Sequence, residues 1–222
     1  MPVLSLLVQT ADATVLVDTG EAVDQPPGHF GSGAGAQERF YRGSLRIPVR
    51  AGTEAPARLR RLGVDPRSVD TVVLTHLHSD HAGTVDAFPR AAVVVGNGER
   101  GGTGAVPCRL RHATVVEPDL ADGPLGPFGA SHALTDDGTV RVVPLPGHSP
   151  GHLGLVVSHR DGLLVAAGDA AFDHDQLHRR ATSAVVHDPA ENSRTQAALG
   201  SVLDDGGQVL LSHDLAAVTP LH

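Results

Sequence analysis

The chain has 222 residues, enough for one domain or two small ones, and its 41% of apolar residues can form a sizeable core. A formal net charge of −8 and an aromatic content of 3% disfavour a nucleic-acid partner. Cys108 is the only cysteine, no signal-peptide pattern begins the chain and no apolar run is long enough to span a membrane, so we expect a cytoplasmic protein without disulfides or a membrane partner.

The predicted elements of the first half alternate between strands and helices. Two strands joined by a tight turn come first, and a loop rich in Gly and Pro follows; we expect this loop to belong to a lid around residues 24–50. Beyond it, the pattern favours a helix that ends at Gly63, a buried strand, a second helix and another strand. The predicted strands are 3–9, 14–18, 69–75 and 91–95, and the predicted helices are 53–62 and 82–88.

The second half predicts mainly strands. The region 96–129 contains many Gly and Pro residues and predicts no regular element. β-Branched runs then predict three strands, the last two joined by a hairpin turn, before a helix and a final strand. These strands are 139–145, 153–158, 163–167 and 208–211, and the helix is 192–203. The order predicts an α/β fold in a single domain over residues 1–222.

The segment 76–81, His-Leu-His-Ser-Asp-His, carries the strongest functional signal. Three imidazoles and one carboxylate follow an apolar run, and these are the donors that hold a cation such as zinc. His76 and His78 alternate along an extended chain and can point the same way, whereas Asp80 and His81 lie beyond the turn. The segment therefore predicts ligands for two adjacent metal sites.

Further candidates follow at wide intervals, each after a strand-like run. His148, Asp169 and His213 complete a set of seven residues that we expect to converge on two metal ions. Asp18 either orients a ligand imidazole or caps a turn, and His152 either supports a ligand or is structural. The lid loop and its neighbourhood add candidates for substrate contact, or else form a simple surface excursion: His29, Phe30 and Tyr41.

This pattern resembles the metallo-beta-lactamase superfamily. The match comprises His76-x-His78-x-Asp80-His81, then His148, Asp169 and His213 in the family's order, together with Val17-Asp18-Thr19-Gly20 near the N-terminus. The resemblance implies a four-layer αβ/βα sandwich with a dinuclear site at one edge of two sheets. It also implies that one metal is bound by His76, His78 and His148. The second metal would be bound by Asp80, His81 and His213, with Asp169 bridging the two ions.

The resemblance implies hydrolysis of an ester, lactone or thioester of a small molecule by a metal-bridging hydroxide, because coordination lowers the pKa of water from about 15.7 to about 7. Asp80 and Asp169 would orient this hydroxide and transfer its proton. Nitrogen and oxygen donors favour zinc, with iron or manganese as alternatives.

Within the superfamily, the chain most resembles the N-acyl-homoserine lactonases. Those enzymes carry a Tyr three residues after the bridging Asp, and its hydroxyl assists ring opening. This chain has Phe172 at that position. Loss of one oxyanion donor can cost about 3 kcal/mol, so either another group such as Tyr41 supplies the hydrogen bond or the substrate differs.

Two other functions remain open from the sequence. A thioesterase or cyclase of a biosynthetic pathway would suit an apolar lid that contains Phe30 and Phe172. A metal-binding or sensor protein without turnover is the alternative from another class. The 25–50 segment could also support a homodimer.

Overall fold

The computed structural model describes residues 3–26, 29–30, 38–40, 43, 49–183 and 185–214. It divides into two compact units, each with a five-stranded sheet. The N-terminal unit comprises Ser5–Glu117, and the C-terminal unit comprises Pro118–His222 with Met1–Leu4.

The sheet of the N-terminal unit has the order β1-β2-β3-β4-β5. Only the β1–β2 pair is antiparallel, as expected for strands joined by a tight turn. Val17, Val73, Val94 and Val116 are aligned across the four parallel strands, so the chain leaves β2 and β3 at the same edge. Asp18 and the 76–81 segment therefore emerge side by side. The strands are Leu6–Gln9, Thr14–Val17, Thr71–Val73, Ala92–Val94 and Thr114–Val116.

Two α-helices of this unit have both ends within the described residues, α1 (Ala55–Arg61) and α2 (Ser79–Ala82), and residues 38–40 and 43 are also helical. Short 3-10 turns occupy Pro66–Ser68, Val85–Ala87, Glu99–Gly101 and Pro107–Leu110. The core includes Leu16, Leu59, Val72, Leu77 and Val93.

The predicted helix over 82–88 is wrong, because the α-helix lies earlier, within the histidine segment. His78 has extended backbone and α2 begins at Ser79. The helix ends where it meets the backbone of residues 20–22: a Cβ on Gly83 would lie 2.6 Å from Ala22 N and from Gly20 O. Thr84 Oγ1 then donates to Thr19 O. Tertiary contacts thus replace the next helical turn.

The sheet of the C-terminal unit has the order β10-β9-β8-β7-β6. β9 and β10 are parallel, with Ala166 opposite Leu210, so Asp169 and His213 both follow strands that end at one edge. Helices α3 (His174–Arg179) and α4 (Pro189–Asp204) belong to this unit. The core includes Val143, Val156, Val165, Leu199 and Val202. The strands are His132–Ala133, Val140–Pro144, Leu153–His159, Gly162–Ala166 and Gln208–Leu210.

The other predicted strands and helices are confirmed, with ends that shift by at most three residues. The strands β5 and β6, the helix α3 and the helical residues 38–40 and 43 were not predicted. Most of the proposed lid lies outside the described residues, and both the lid and the single domain stay predictions. Among the described helices, none combines the length and apolar character needed to cross a membrane.

Candidate metal centre

Asp18 joins the end of β2 to the histidine segment. Its side chain is 1% exposed and accepts three hydrogen bonds, from Thr75 N at 2.8 Å, Thr75 Oγ1 at 2.9 Å and His81 Nδ1 at 2.8 Å. Asp18 also has a φ of 54°, in the left-handed region that few residues other than Gly adopt. A strained backbone of this kind persists where the surrounding contacts over-determine it.

The contact with Asp18 fixes the tautomer of His81. An ionised carboxylate only accepts, so His81 Nδ1 carries the hydrogen and Nε2 carries the lone pair, an assignment made from the hydrogen-bond partner. A carboxylate behind an imidazole is the usual means of orienting a metal-ligating histidine. His81 is fully buried, and its Nε2 lies 3.8 Å from Asp80 Oδ2.

His76 and His78 present two lone pairs to each other. Thr75 Oγ1 donates its hydrogen to Asp18, so it accepts one from His76 Nδ1 at 3.1 Å, and His76 Nε2 keeps the lone pair. His78 Nε2 donates to Thr103 O at 3.0 Å, which leaves the lone pair on His78 Nδ1. His76 Nε2 and His78 Nδ1 are 2.9 Å apart. Two facing lone pairs repel unless a proton or a cation lies between them, so this donor set fits a metal ion.

The C-terminal unit carries a second group of donors, centred on Asp169. Asp169 Oδ2 lies 3.2 Å from His213 Nε2 and 3.8 Å from His148 Nε2. His148 Nδ1 donates to Val185 O at 3.0 Å, so its Nε2 carries the lone pair. The side chains of Asp169, His148 and His213 are 5%, 2% and 3% exposed, so all three are almost fully buried.

His152 and Phe172 surround this second group. His152 is 1% exposed, and its Nε2 accepts the backbone N–H of Asp169 at 3.2 Å, so it holds the Asp169 main chain. The Phe172 ring lies against the imidazoles of His213 and His148, with centroid separations of 5.4 and 6.3 Å. Phe172 is therefore an apolar neighbour of two candidate ligands.

Of the three residues of the lid region that were predicted to contact substrate, two are buried in the structure. His29 and Phe30 are 0% and 5% exposed, so both side chains are buried. His29 Nε2 lies 2.5 Å from Glu21 Oε1 and its Nδ1 lies 2.9 Å from an Arg109 nitrogen. Tyr41 lies outside the described residues.

The Gly-rich segment 99–104 also supports the histidines, although the sequence predicted no role for it. Glu99 is 1% exposed, and its Oε2 accepts the N–H of Leu77 at 3.1 Å. Thr103 O accepts from His78, and a Cβ on Gly104 would lie 2.9 Å from His78 Nε2. A sequence signal existed only in the density of glycines, which allows a backbone to approach a side chain closely.

Comparison with known proteins points to one family. The profile of the metallo-beta-lactamase superfamily matches residues 1–213. The N-acyl homoserine lactonase AttM of Azorhizobium caulinodans is 29% identical, over 96% of this chain and 82% of the relative.

Solved structures share the fold. An N-acyl homoserine lactone hydrolase with N-hexanoyl-L-homoserine bound at its catalytic metal centre has a TM-score of 0.75 and 22% identity, over 96% of this chain and 81% of that one. AidC, a dizinc quorum-quenching lactonase in complex with a product, has a TM-score of 0.63 and 17% identity, over 95% and 72% of the two chains.

Proposed function

The chain belongs to the metallo-beta-lactamase superfamily and is a metallo-hydrolase, and we propose that it opens a lactone or cleaves a related ester or thioester of a small molecule. The predicted α/β fold of this superfamily is confirmed by the profile match and by the structural similarity. The substrate, the metal and the ligand set belong to the proposal.

We propose that seven residues hold two divalent metal ions, with zinc as the resident metal. The observation that carries this assignment is the pair of lone pairs that His76 and His78 direct at each other. The second group, around Asp169, supports it because two imidazole Nε2 atoms lie within 4 Å of one carboxylate oxygen. Neutral imidazoles and carboxylates match the preferences of zinc. The proposed ligands are His76, His78, Asp80, His81, His148, Asp169 and His213.

Two bound cations would supply a nucleophile at neutral pH by acidifying water, and they would polarise the scissile carbonyl. The side chains divide the remaining tasks. Asp169, with a 5% exposed carboxylate, would orient the nucleophile, whereas Asp80, with a 22% exposed carboxylate, can pass the proton to solvent. Asp18 and His152 fix the orientation of His81 and of the Asp169 backbone.

The substrate proposal rests on the similarity to lactonases and on one residue that differs from theirs. AttM and the lactone hydrolases of similar fold make an N-acyl homoserine lactone the first substrate class to test. Phe172 lies against His148 and His213, and it occupies the sequence position at which the resemblance to the lactonases implies a tyrosine. We therefore propose an activated lactone, aryl ester or thioester, whose better leaving group needs less assistance from a hydrogen-bond donor.

A substrate panel with metal control tests the proposal. Acyl-homoserine lactones, simple lactones, aryl esters and acyl thioesters are assayed with native protein, with chelator-stripped protein and after return of zinc. We expect hydrolysis of at least one class, its loss on stripping and its recovery with two zinc equivalents. Hydrolysis that survives complete stripping would refute the mechanism, and a two-zinc protein without turnover on any class would favour the sensor alternative.

A further inference from the structure

A buried chain of four side chains leads into the histidine segment. Ser79 Oγ donates to Glu21 Oε2 at 2.9 Å, and Glu21 Oε1 lies 2.5 Å from His29 Nε2. Arg109 follows, with one guanidinium nitrogen 2.9 Å from His29 Nδ1 and a further bond to Asp24 O. Their exposed fractions are 6% for Ser79 and Glu21, 0% for His29 and 9% for Arg109.

The direction of each hydrogen bond follows from the groups involved. A guanidinium has only donors, so His29 Nδ1 accepts from Arg109. His29 Nε2 then carries the hydrogen and donates to Glu21. Glu21 also accepts from the N–H of Ala22 and from the Ser79 hydroxyl, so its two oxygens are held from three sides. The carboxylate cannot rotate without losing one of these bonds.

This series of hydrogen-bonded side chains ends at the first residue of α2, between two proposed ligands. Ser79 lies between His78 and Asp80, and Glu21 follows directly on the Asp18-Thr19-Gly20 turn. Asp18 already holds His81 from the end of β2. Thr19 N and Thr19 Oγ1 both donate to His81 O, and Glu21 adds an attachment at the first residue of the same short helix. A four-residue helix has too few internal bonds to fix its own orientation, so such attachments decide where Asp80 and His81 point.

The burial of these polar groups favours a positional role over a stabilising one. Burying a carboxylate and a guanidinium is costly, and well-packed apolar residues of the same volume are often as stable or more stable. A network with a defined donor and acceptor at every step does, however, fix one geometry. Apolar packing could fill the same space, but it could not direct the Ser79 hydroxyl.

We propose that Glu21, His29 and Arg109 are positioning residues that set the orientation of Asp80 and His81 through Ser79. The inference rests on the proposed function, since it concerns the metal ligands named there. Outer hydrogen-bond partners of metal ligands typically change metal affinity by about 10–100-fold when they are removed. These positioning residues should therefore control how tightly Asp80 and His81 retain their metal.

The test compares Ser79→Ala with Ser79→Thr, because the second variant keeps the hydroxyl. Zinc affinity is measured by competition with a chromogenic chelator, and the thermal midpoint of each metal-free protein is recorded. We expect Ser79→Ala to weaken one of the two zinc equivalents about tenfold and Ser79→Thr to stay near wild type. Glu21→Gln should weaken the same equivalent, and the double variant Glu21→Gln/Ser79→Ala should be little worse than either single one, because both remove the same link.

Glu54→Gln serves as the matched control, since Glu54 lies in the same unit, directly before α1, and its side chain likewise accepts a backbone hydrogen bond, from Gly52. It should leave both zinc equivalents unchanged. If folded Ser79→Ala binds both zinc equivalents as tightly as wild type, the proposed positioning role is overturned. Fully additive losses of zinc affinity in the double variant would also overturn it. A wild-type protein that binds fewer than two equivalents would instead contradict the proposed metal centre.

Discussion

Phe172 is the residue at which this chain departs from the lactonase pattern, and its position makes the departure testable. Its ring lies against His213 and His148. In Phe172→Tyr, the new hydroxyl would extend from a ring already in place and could donate to a developing oxyanion. We expect kcat/KM on lactones to rise on the order of 100-fold, the range seen for one oxyanion donor. Steady-state kinetics on the same lactone checks this.

Phe172→Leu is the control, because it changes the shape without adding a donor. It should not raise lactone hydrolysis. A Phe172→Tyr enzyme that gains nothing would mean that another group already supplies the hydrogen bond, and would remove Phe172 as the reason for a different substrate.

Asp18 permits a substitution that separates its electrostatic role from its backbone role. Asn, like Asp, tolerates a positive φ, so Asp18→Asn keeps the turn while replacing the charged acceptor of His81. We expect a zinc affinity about 10–100-fold weaker, because the imidazole loses its oriented carboxylate. The measurement is chelator competition beside the thermal midpoint of the metal-free protein. Equal affinities for wild type and variant would mean that Asp18 only caps the turn.

The Gly-rich segment 99–104 shows how an element without regular structure can shape a site. Gly104 has a φ of +82°, and a Cβ there would crowd His78 Nε2 at 2.9 Å. Gly63 has nearly the same φ, +81°, but nothing lies within 4 Å of its Cβ position. Gly104→Ala and Gly63→Ala therefore share the backbone strain and differ in the contact with His78.

We expect both glycine variants to lower the thermal midpoint, and only Gly104→Ala to weaken zinc binding as well. The same chelator competition distinguishes them. Zinc affinities that fall equally in the two variants would show that general destabilisation, and not the contact with His78, is responsible.

The start of α4 gives a prediction of pH dependence. Asp188 caps this helix, and hydrogen bonds from the backbone N–H groups of Glu191 and Ala190 hold the pKa of its carboxyl below the ordinary value of 3.8. A depressed folded-state pKa contributes stability above the ordinary value and loses it as the pH falls through the folded-state value.

Asp188→Asn retains a capping oxygen without the charge. We expect wild type to have the higher thermal midpoint at neutral pH, and the gap to close as the pH falls below 3.8. Thermal melts of both metal-free proteins across this range measure the gap. A gap independent of pH would show that the charge of Asp188 contributes nothing.

The elements were predictable where local pattern decides them and not where tertiary contacts do. The apolar β-branched runs at 71–73 and 92–94 are buried strands, and Gly63 does end α1 with a positive φ. β5 has the same Thr-Val-Val sequence as β3, but it is short and lies in the Gly- and Pro-rich region 96–129, and β6 has only two residues, so neither gives a period to read. The end of α2 at Ala82 depends on contacts of Gly83 and Thr84 with residues 19–22, which no local window contains.

The residues of the candidate site also fall into those that the sequence could predict and those that it could not. The proposed ligands could be predicted because metal chemistry demands His and Asp in a recognisable order, and their assignment stays a prediction. Glu21 and Glu99 could not be predicted, because no spacing rule marks a carboxylate that accepts a hydrogen bond from a distant segment. His29 looked like a loop residue available to substrate, and it is instead a buried link between Glu21 and Arg109.

For the whole molecule, the proposed ligands come from widely separated stretches of the sequence: four lie within 76–81 and three between 148 and 213. A metal that binds the folded chain and not the unfolded chain stabilises it by mass action, by about 2.7 kcal/mol when free zinc exceeds the dissociation constant 100-fold. We therefore expect the zinc-loaded protein to melt in a single transition at a higher temperature than the stripped protein. Hydrogen exchange should slow on zinc binding both around 76–81 and around 166–169 and 208–213, because each stretch supplies or adjoins proposed ligands. Protection confined to 76–81, with the C-terminal segments unchanged, would show that Asp169 and His213 hold no metal and would reduce the proposed centre to the histidine segment alone.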